Sequence, residues 1–307
     1  MLFFQVIVPQ PNHNKNNKNK LIIIMPMIYN NIDPVLLELG PLSIRYYGLA
    51  YAIGFIMSYF LLKKFVRSDE KNPLQPNDID DLLLYIMLGV ILGSRIIYII
   101  IYNFSGFISN PLMIFQVWQG GMSFHGGLIG VAVAVMLFIR RFNLKSKEHK
   151  GHKKRLRLYD VTDLLAIPAA FSLAIGRLAN FTNHELYGRV TDVPWAVKFM
   201  GVEGYRHPSQ IYEAIYSVGI GVIEIFLYRM KLMHESIPKG VMSWSFVLLY
   251  GSFRFVTEFF RQPDQHMGVE GFFFGWLTMG HILSVIMIVI GGSMIYHIVS
   301  QDKNKKS

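Results

Sequence analysis

The chain has 307 residues, 52% of them hydrophobic and only 16% charged, with no cysteine and a formal net charge of +10. A mean hydropathy of +0.34 suits a protein built into a bilayer rather than a soluble domain. The lack of cysteine excludes disulfides, thiolate metal ligands and a cysteine acyl-enzyme, and the basic residues fall between apolar runs rather than along one face, which argues against nucleic-acid binding.

Residues 1–33 read as a polar N-terminal extension. They include the low-complexity stretch PNHNKNNKNK from Pro11 to Lys20, flanked by apolar runs too short to cross a membrane and lacking the basic start of a signal peptide. Met25 and Met27 are therefore candidate translation starts beside Met1. A helix needs about 20 apolar residues to cross the hydrocarbon layer. Seven candidate spans follow, at 44–65, 82–102, 122–139, 160–180, 211–229, 241–260 and 271–297. The fold class expected is an all-α integral membrane protein, with one membrane domain over 34–300 and a basic tail over 301–307. The fourth and sixth spans are interrupted, by Arg177 and by Arg254 with Glu258. Charges inside weak spans face a protein-lined cavity rather than lipid. The chain shows no internal repeat, which counts against inverted-repeat transporters.

Lysine and arginine set the orientation. Lys63, Lys64, Arg67 and Lys71 follow the first span, and the third connection holds nine basic residues between Arg140 and Arg157. Arg229, Lys231 and Lys239 fill the fifth connection, and Lys303, Lys305 and Lys306 the tail. These regions are expected to be cytoplasmic, with the N-terminus outside and a central cavity open towards the outer face.

The polar segment GRLANFTNHELYG, from Gly176 to Gly188, closes the fourth span with Arg177, Asn180, Asn183 and Glu185. Each charge near hydrocarbon costs about 2.5–3.5 kcal/mol on insertion scales, so a cluster marks a polar task, here a charged headgroup. Three more segments carry polar groups in apolar surroundings: HGGLIG (His125–Gly130), RHPSQIYE (Arg206–Glu213) and YGSFRFVTEFFRQPD (Tyr250–Asp264). Together, and with RYYGL from Arg45 and GSRIIYIIIYN from Gly93, they resemble the prolipoprotein diacylglyceryl transferases of bacterial inner membranes, in order and over residues 34–297. Thr182 departs from the family signature, which has an apolar residue there, and the third connection is long and basic for the family.

The resemblance implies an enzyme of the bacterial cytoplasmic membrane. It would move the diacylglyceryl group of phosphatidylglycerol to the lipobox cysteine thiol of a prolipoprotein signal peptide, form a thioether and release glycerol phosphate. No cofactor or metal is implied. Thiol attack on the glycerol carbon needs a base for the thiol proton and a fixed cation for the departing phosphate.

His125 suits the base, since histidine is the side chain fitted to general-base work near neutral pH. Its other reading is a hydrogen bond to a neighbouring helix, with Gly126 and Gly127 permitting close approach of substrate or backbone. Arg254 suits the phosphate, since guanidinium matches it bidentately and stays charged. Tyr250 and Glu258 stand four residues either side on the same helical face and orient it; the alternative is that Arg254 only pairs with Glu258. Arg177 and Asn180 are i, i+3 neighbours, with Asn183 and Glu185 in the loop that follows. Lipid ester and hydroxyl groups suit the asparagines, Glu185 suits the placing of Arg177, and part of the cluster caps a helix end. The resemblance implies a headgroup and substrate role for Arg177, Asn180 and Glu185, with Arg177 also catalytic and Gly188 in the substrate-binding set.

His207 precedes Pro208 at a helix start and reads either as a cavity-shaping entry loop or as structure. Tyr47 falls where the family also carries a polar residue in the first span, and Arg95 reads as internally paired. His184 and His281 lack a second ligand at metal spacing. Two other classes remain open on the residues alone: a seven-span transporter or receptor, and a metal-dependent phospholipid transferase. The polar groups cluster towards the outer face rather than mid-span, and Asp160 and Asp163 lie on the predicted cytoplasmic side.

Overall fold

The computed structural model describes residues 3–5, 27–40, 42–116, 120–148, 155–234, 237–262 and 277–306. Seven long helices form where the seven spans are expected: α1 (Tyr46–Ser68), α2 (Asp78–Tyr102), α4 (Phe124–Glu148), α5 (Leu158–Thr182), α6 (Ser209–His234), α7 (Val241–Glu258) and α8 (Met279–Lys306). A short helix, α3 (Phe104–Ser109), and a single 3-10 turn (Pro111–Phe115) lie in the second connection.

Six of the long helices are apolar and long enough to cross a bilayer; the exception is α7. Its 18 residues include Arg254, Glu258 and three separated serines, Ser243, Ser245 and Ser252, which lower its hydropathy. The last expected span began at 271, but α8 begins at Met279, and 271–276 lie outside the described residues, as do Pro263, Asp264 and the stretch from Pro11 to Lys20.

Helices dominate, yet five short strands accompany them. β2 (Met27–Asn30) pairs antiparallel with β1 (Phe3–Gln5) and parallel with β5 (Val197–Phe199). β3 (Val35–Leu39) and β4 (Leu42–Arg45) form a hairpin that turns at Gly40, whose positive φ of 59° suits glycine. Asn30 is fully buried and donates from Nδ2 to the Phe181 carbonyl at 2.7 Å, tying β2 to the end of α5.

The chain forms two compact units. The first comprises Met1–Gly54, Ala169–Phe226 and Trp244–Ser307. Its core packs Ala170, Tyr216 and Ile220 against Phe246, Leu249 and Tyr250. The second comprises Phe55–Pro168 and Leu227–Ser243. There, α2 and α4 lie antiparallel along a glycine seam. A Cβ at Gly93 would run into the Gly126 carbonyl, and one at Gly130 into the backbone of Gly89. Small residues spaced by four let helix backbones touch, which supplies packing and weak Cα–H contacts where lipid offers no hydrophobic drive.

In this second unit, the buried Arg95 meets no carboxylate among the described residues. Its Nη1 donates to the Gly120 and Gly121 carbonyls at 2.5 and 3.0 Å, and its Nη2 to those of Met113 and Gln116 at 2.5 and 3.2 Å. The expected internal pairing is thus with the backbone just before α4. Asp163 accepts from the Gly240 and Ser243 amides at 2.9 and 3.0 Å, and Lys231 pairs with it at 3.3 Å, so one buried carboxylate fixes the start of α7.

Candidate active site

Glu213, in the first turns of α6, joins two arginines. Its carboxylate forms an ion pair with Arg177 Nε of α5 and accepts a hydrogen bond from Arg254 Nη1 of α7 at 2.6 Å. Arg254 reaches back along its own helix to Glu258 at 2.6 Å, one turn away. The two carboxylates are 2% and 3% exposed, so each charge is removed from water and must be matched. The Tyr250 hydroxyl interacts with both guanidiniums.

The chain then extends outward. Arg177 Nη1 donates to Asn180 Oδ1, and Asn180 Nδ2 donates to Glu185, both at 3.3 Å. Glu185 is therefore linked to Arg177 through Asn180. Glu258 also accepts from Thr278 Oγ1 at 2.8 Å and lies 4.0 Å from Arg261.

The loop after α5 is held by α6. Gln210 Nε2 donates to the Glu185 carbonyl at 2.5 Å and Ser209 Oγ to that of Leu186 at 2.9 Å. His184 and Leu186 take positive φ of 57° and 55°, a conformation that costs non-glycine residues free energy and that this surround enforces. His184 Nε2 bonds the Ile32 carbonyl at 2.9 Å. The Asn183 carboxamide oxygen is buried without a hydrogen-bond partner among the described residues. Gly188 sits where a Cβ would meet the backbone of Phe260 and His207, and its amide donates to the His207 carbonyl at 2.8 Å.

His207 itself bonds the Tyr212 hydroxyl through Nδ1 at 3.1 Å. Burial, and then the Arg189 charge, hold its imidazole below the usual histidine value.

Of the residues predicted for the site, the structure joins Arg177, Asn180, Glu185, Tyr250, Arg254 and Glu258 in one network. Asn183, Gly188 and His207 lie in the neighbouring loops of the same unit. Tyr47, near the start of α1, meets Tyr51 edge-on at 5.3 Å between ring centres and is not part of the network. His125 belongs to the second unit, exposed in the first turn of α4 beside Phe124. Its two following glycines differ: Gly126 serves the helix seam, while a Cβ at Gly127 would meet only ordinary contacts.

Two network members went unassigned in the sequence. Glu213 ends the RHPSQIYE segment, which reads from sequence as a cavity-shaping entry loop or as structure, although two arginines in apolar segments call for a carboxylate from elsewhere in the fold. Tyr216, one turn further along α6, has a buried hydroxyl with no hydrogen-bond partner among the described residues and interacts with Glu213 and both arginines.

A guanidinium carries five N–H donors, and the carboxylates, Asn180 and Tyr250 use only part of the ten on Arg177 and Arg254. The remainder can bind an oxyanion. The fold and this site define a multi-helical membrane protein with a charge-paired polar centre. The family model described as prolipoprotein diacylglyceryl transferase matches residues 34–297. Curated relatives named phosphatidylglycerol–prolipoprotein diacylglyceryl transferase include that of Photobacterium profundum, 43% identical over 88% of this chain and 94% of its own. Those of Coxiella burnetii and Aeromonas hydrophila are 45% and 44% identical over 88% of this chain, covering 97% and 91% of theirs. The chain belongs to the prolipoprotein diacylglyceryl transferase family.

Proposed function

We propose that this chain transfers the diacylglyceryl group of phosphatidylglycerol to the lipobox cysteine thiol of a prolipoprotein, the first step of bacterial lipoprotein maturation. A carbon–sulfur bond forms at the glycerol carbon that bears the phosphate. The carbon–oxygen bond to phosphate breaks, the thiol proton passes to a base, and glycerol phosphate leaves. Family membership supports the reaction. The observation that carries the site is Glu213 holding Arg177 and Arg254 together with donors to spare.

In this reading Arg177 and Arg254 bind the phosphate and take up its charge as it departs, in a site where preorganised donors need no reorientation. Glu258 and Tyr250 set the Arg254 guanidinium. Asn180 and Glu185 set Arg177, and the Asn183 oxygen is an acceptor for a headgroup hydroxyl. Gly188, His207 and Tyr47 shape the substrate path, and His125 takes the thiol proton. The pairing of Arg254 with Glu258 is then both structural and functional.

The charge asymmetry supports a multi-pass protein of the cytoplasmic membrane, with α7 as a seventh span lined by protein, the tail inside, and the site open to the outer face. Single cysteines at Asp192 and Gln301 in this cysteine-free chain should label oppositely with an impermeant thiol reagent on intact cells. Equal labelling of both removes this topology.

For the reaction, purified protein is given phosphatidylglycerol and a lipobox peptide, and the peptide mass is read. A diacylglyceryl adduct is expected, formed equally with chelator present. Activity lost to chelator and restored by Mg²⁺ would favour a metal-dependent lipid transferase instead.

A further inference from the structure

On α4, Met136, Ile139, Arg140 and Asn143 recur at the spacing that stacks side chains along one helical face. This face is one wall of an open groove of about 620 Å³; the other is the segment from Arg155 to Leu158 that leads into α5. The second wall is fixed from two sides. Asn143 clamps Leu156 with its whole carboxamide: Nδ2 donates to the carbonyl at 3.0 Å, and Oδ1 accepts from the amide at 2.9 Å. Asp160 accepts the Arg157 amide at 2.8 Å, half of a capping box at the start of α5.

Leu156 is 1% exposed, so the clamp is anchored in packed structure, while Arg155 and Arg157 on either side are exposed. Arg140 is exposed too, and none of the three forms an ion pair among the described residues. Asp160, in the first turn of α5, does not neutralise them, because it is buried and paired with Lys239. Three guanidiniums thus border an apolar floor that includes the exposed Met136 and Leu158, at the ends of two helices long and apolar enough to cross a bilayer.

We infer that this groove binds one anionic glycerophospholipid, its phosphate on Arg140, Arg155 and Arg157 and an acyl chain along Met136 and Ile139. A soluble anion satisfies the arginines but leaves the apolar wall uncovered. A zwitterionic lipid brings its own cation against three others. Guanidinium suits the phosphate for the forked geometry it offers, and the neighbouring aliphatic surface suits the chain. None of these residues belongs to the arginine–glutamate network, so the groove is independent of the proposed reaction.

The test uses full-length protein in nanodiscs of phosphatidylcholine containing about one-fifth phosphatidylserine, an anionic lipid that is not the proposed donor substrate. Native mass spectrometry counts the phosphatidylserine retained by each protein as its content is raised. Each arginine near the headgroup contributes about fivefold to retention, so the Arg140→Gln, Arg155→Gln, Arg157→Gln triple variant should bind on the order of 100-fold more weakly. Retention of phosphatidylcholine should not change. A thermal melt close to wild type verifies folding, and the Arg155→Gln, Arg157→Gln double variant, which leaves α4 untouched, should lose on the order of 30-fold if the triple variant does not fold. Equal phosphatidylserine retention by a folded variant overturns the inference. So does displacement of the lipid by inorganic phosphate, which would make the groove a site for free phosphate.

Discussion

Glu213 of α6 and Arg254 of α7 are joined at 2.6 Å, and the same carboxylate holds Arg177 of α5, so one acid on a third helix spaces two cations. Without it, like charges would sit close together in a poorly solvated site. Breaking a buried pair by removing one partner leaves an uncompensated charge and costs about 3–5 kcal/mol. Glu213→Gln should therefore lower the thermal midpoint of the purified protein, and the two arginines, no longer held in register, should lose most of their transfer rate. A Gln variant with wild-type turnover would show that the bridge serves neither spacing nor chemistry.

Arg254→Lys tests the fork itself. An ammonium keeps the charge but cannot span Glu213, Glu258 and a phosphate oxygen from one planar group. Loss of one such preorganised interaction raises a barrier by about 2.7–4 kcal/mol, on the order of 10² to 10³ in rate. The loss should fall on kcat more than on KM for phosphatidylglycerol, because the charge grows as the phosphate leaves. A fully active Lys variant would leave Arg254 as no more than the partner of Glu258.

Much of this arrangement is legible in the chain. Six of the seven expected spans correspond to helices apolar and long enough to cross a bilayer, α8 starting at Met279 rather than 271, and the i, i+4 spacing of Tyr250, Arg254 and Glu258 foretold their shared face, because both depend on local sequence alone. Glu213 was not recognised, since its partners lie 36 residues before it and 41 after, and no local pattern brings three helices together. The strands were missed for a related reason. β2 and β5 are four and three residues long and pair across the chain, so neither shows the alternation that marks a strand by itself. Gly126 and Gly127 read as permitting close approach of a substrate or a backbone; the structure shows backbone close to Gly126 and to the unassigned Gly130 but not to Gly127, and only the spacing of Gly89 and Gly93 on α2 could have indicated it.

That seam gives a sharp contrast between neighbours. Gly130→Ala should push α2 and α4 apart, and overpacking of this kind costs about 1–3 kcal/mol. Gly127→Ala, whose Cβ would find its closest neighbour at 3.8 Å, should be nearly neutral and slightly favour the helix. The two variants are compared by thermal unfolding in the same detergent. Equal midpoints would remove close backbone contact as the reason for the glycine pair.

His207 carries a pH dependence of known sign. Its folded value lies below the ordinary ~6.5, so the unfolded chain binds the proton more readily. The stabilisation is full above that value and is lost as pH falls from there towards the folded pKa. Wild-type protein should therefore lose more thermal stability than His207→Gln over that acidic window, and the two curves should run parallel above it. A wild-type profile that parallels the variant throughout would mean that His207 is not held neutral by its surroundings.

His125 is separated from a supporting role by pH. If it takes the thiol proton, His125→Gln should be slow near neutrality and recover as pH approaches the thiol's own pKa of about 8.5, where the substrate ionises unaided. A structural role predicts a different outcome, since a distorted start to α4 would not be repaired by hydroxide. Because His125 is exposed and its ring meets Phe124 alone among the ring contacts of the described residues, substitution there should leave the α2–α4 seam intact and the melting temperature unchanged. Rates are measured with one lipobox peptide across the range, next to a peptide whose thiol has a lower pKa. That second peptide should shift the recovery to correspondingly lower pH. A well-folded His125→Gln protein that is equally inactive from neutral to alkaline pH with both peptides would remove His125 from proton transfer.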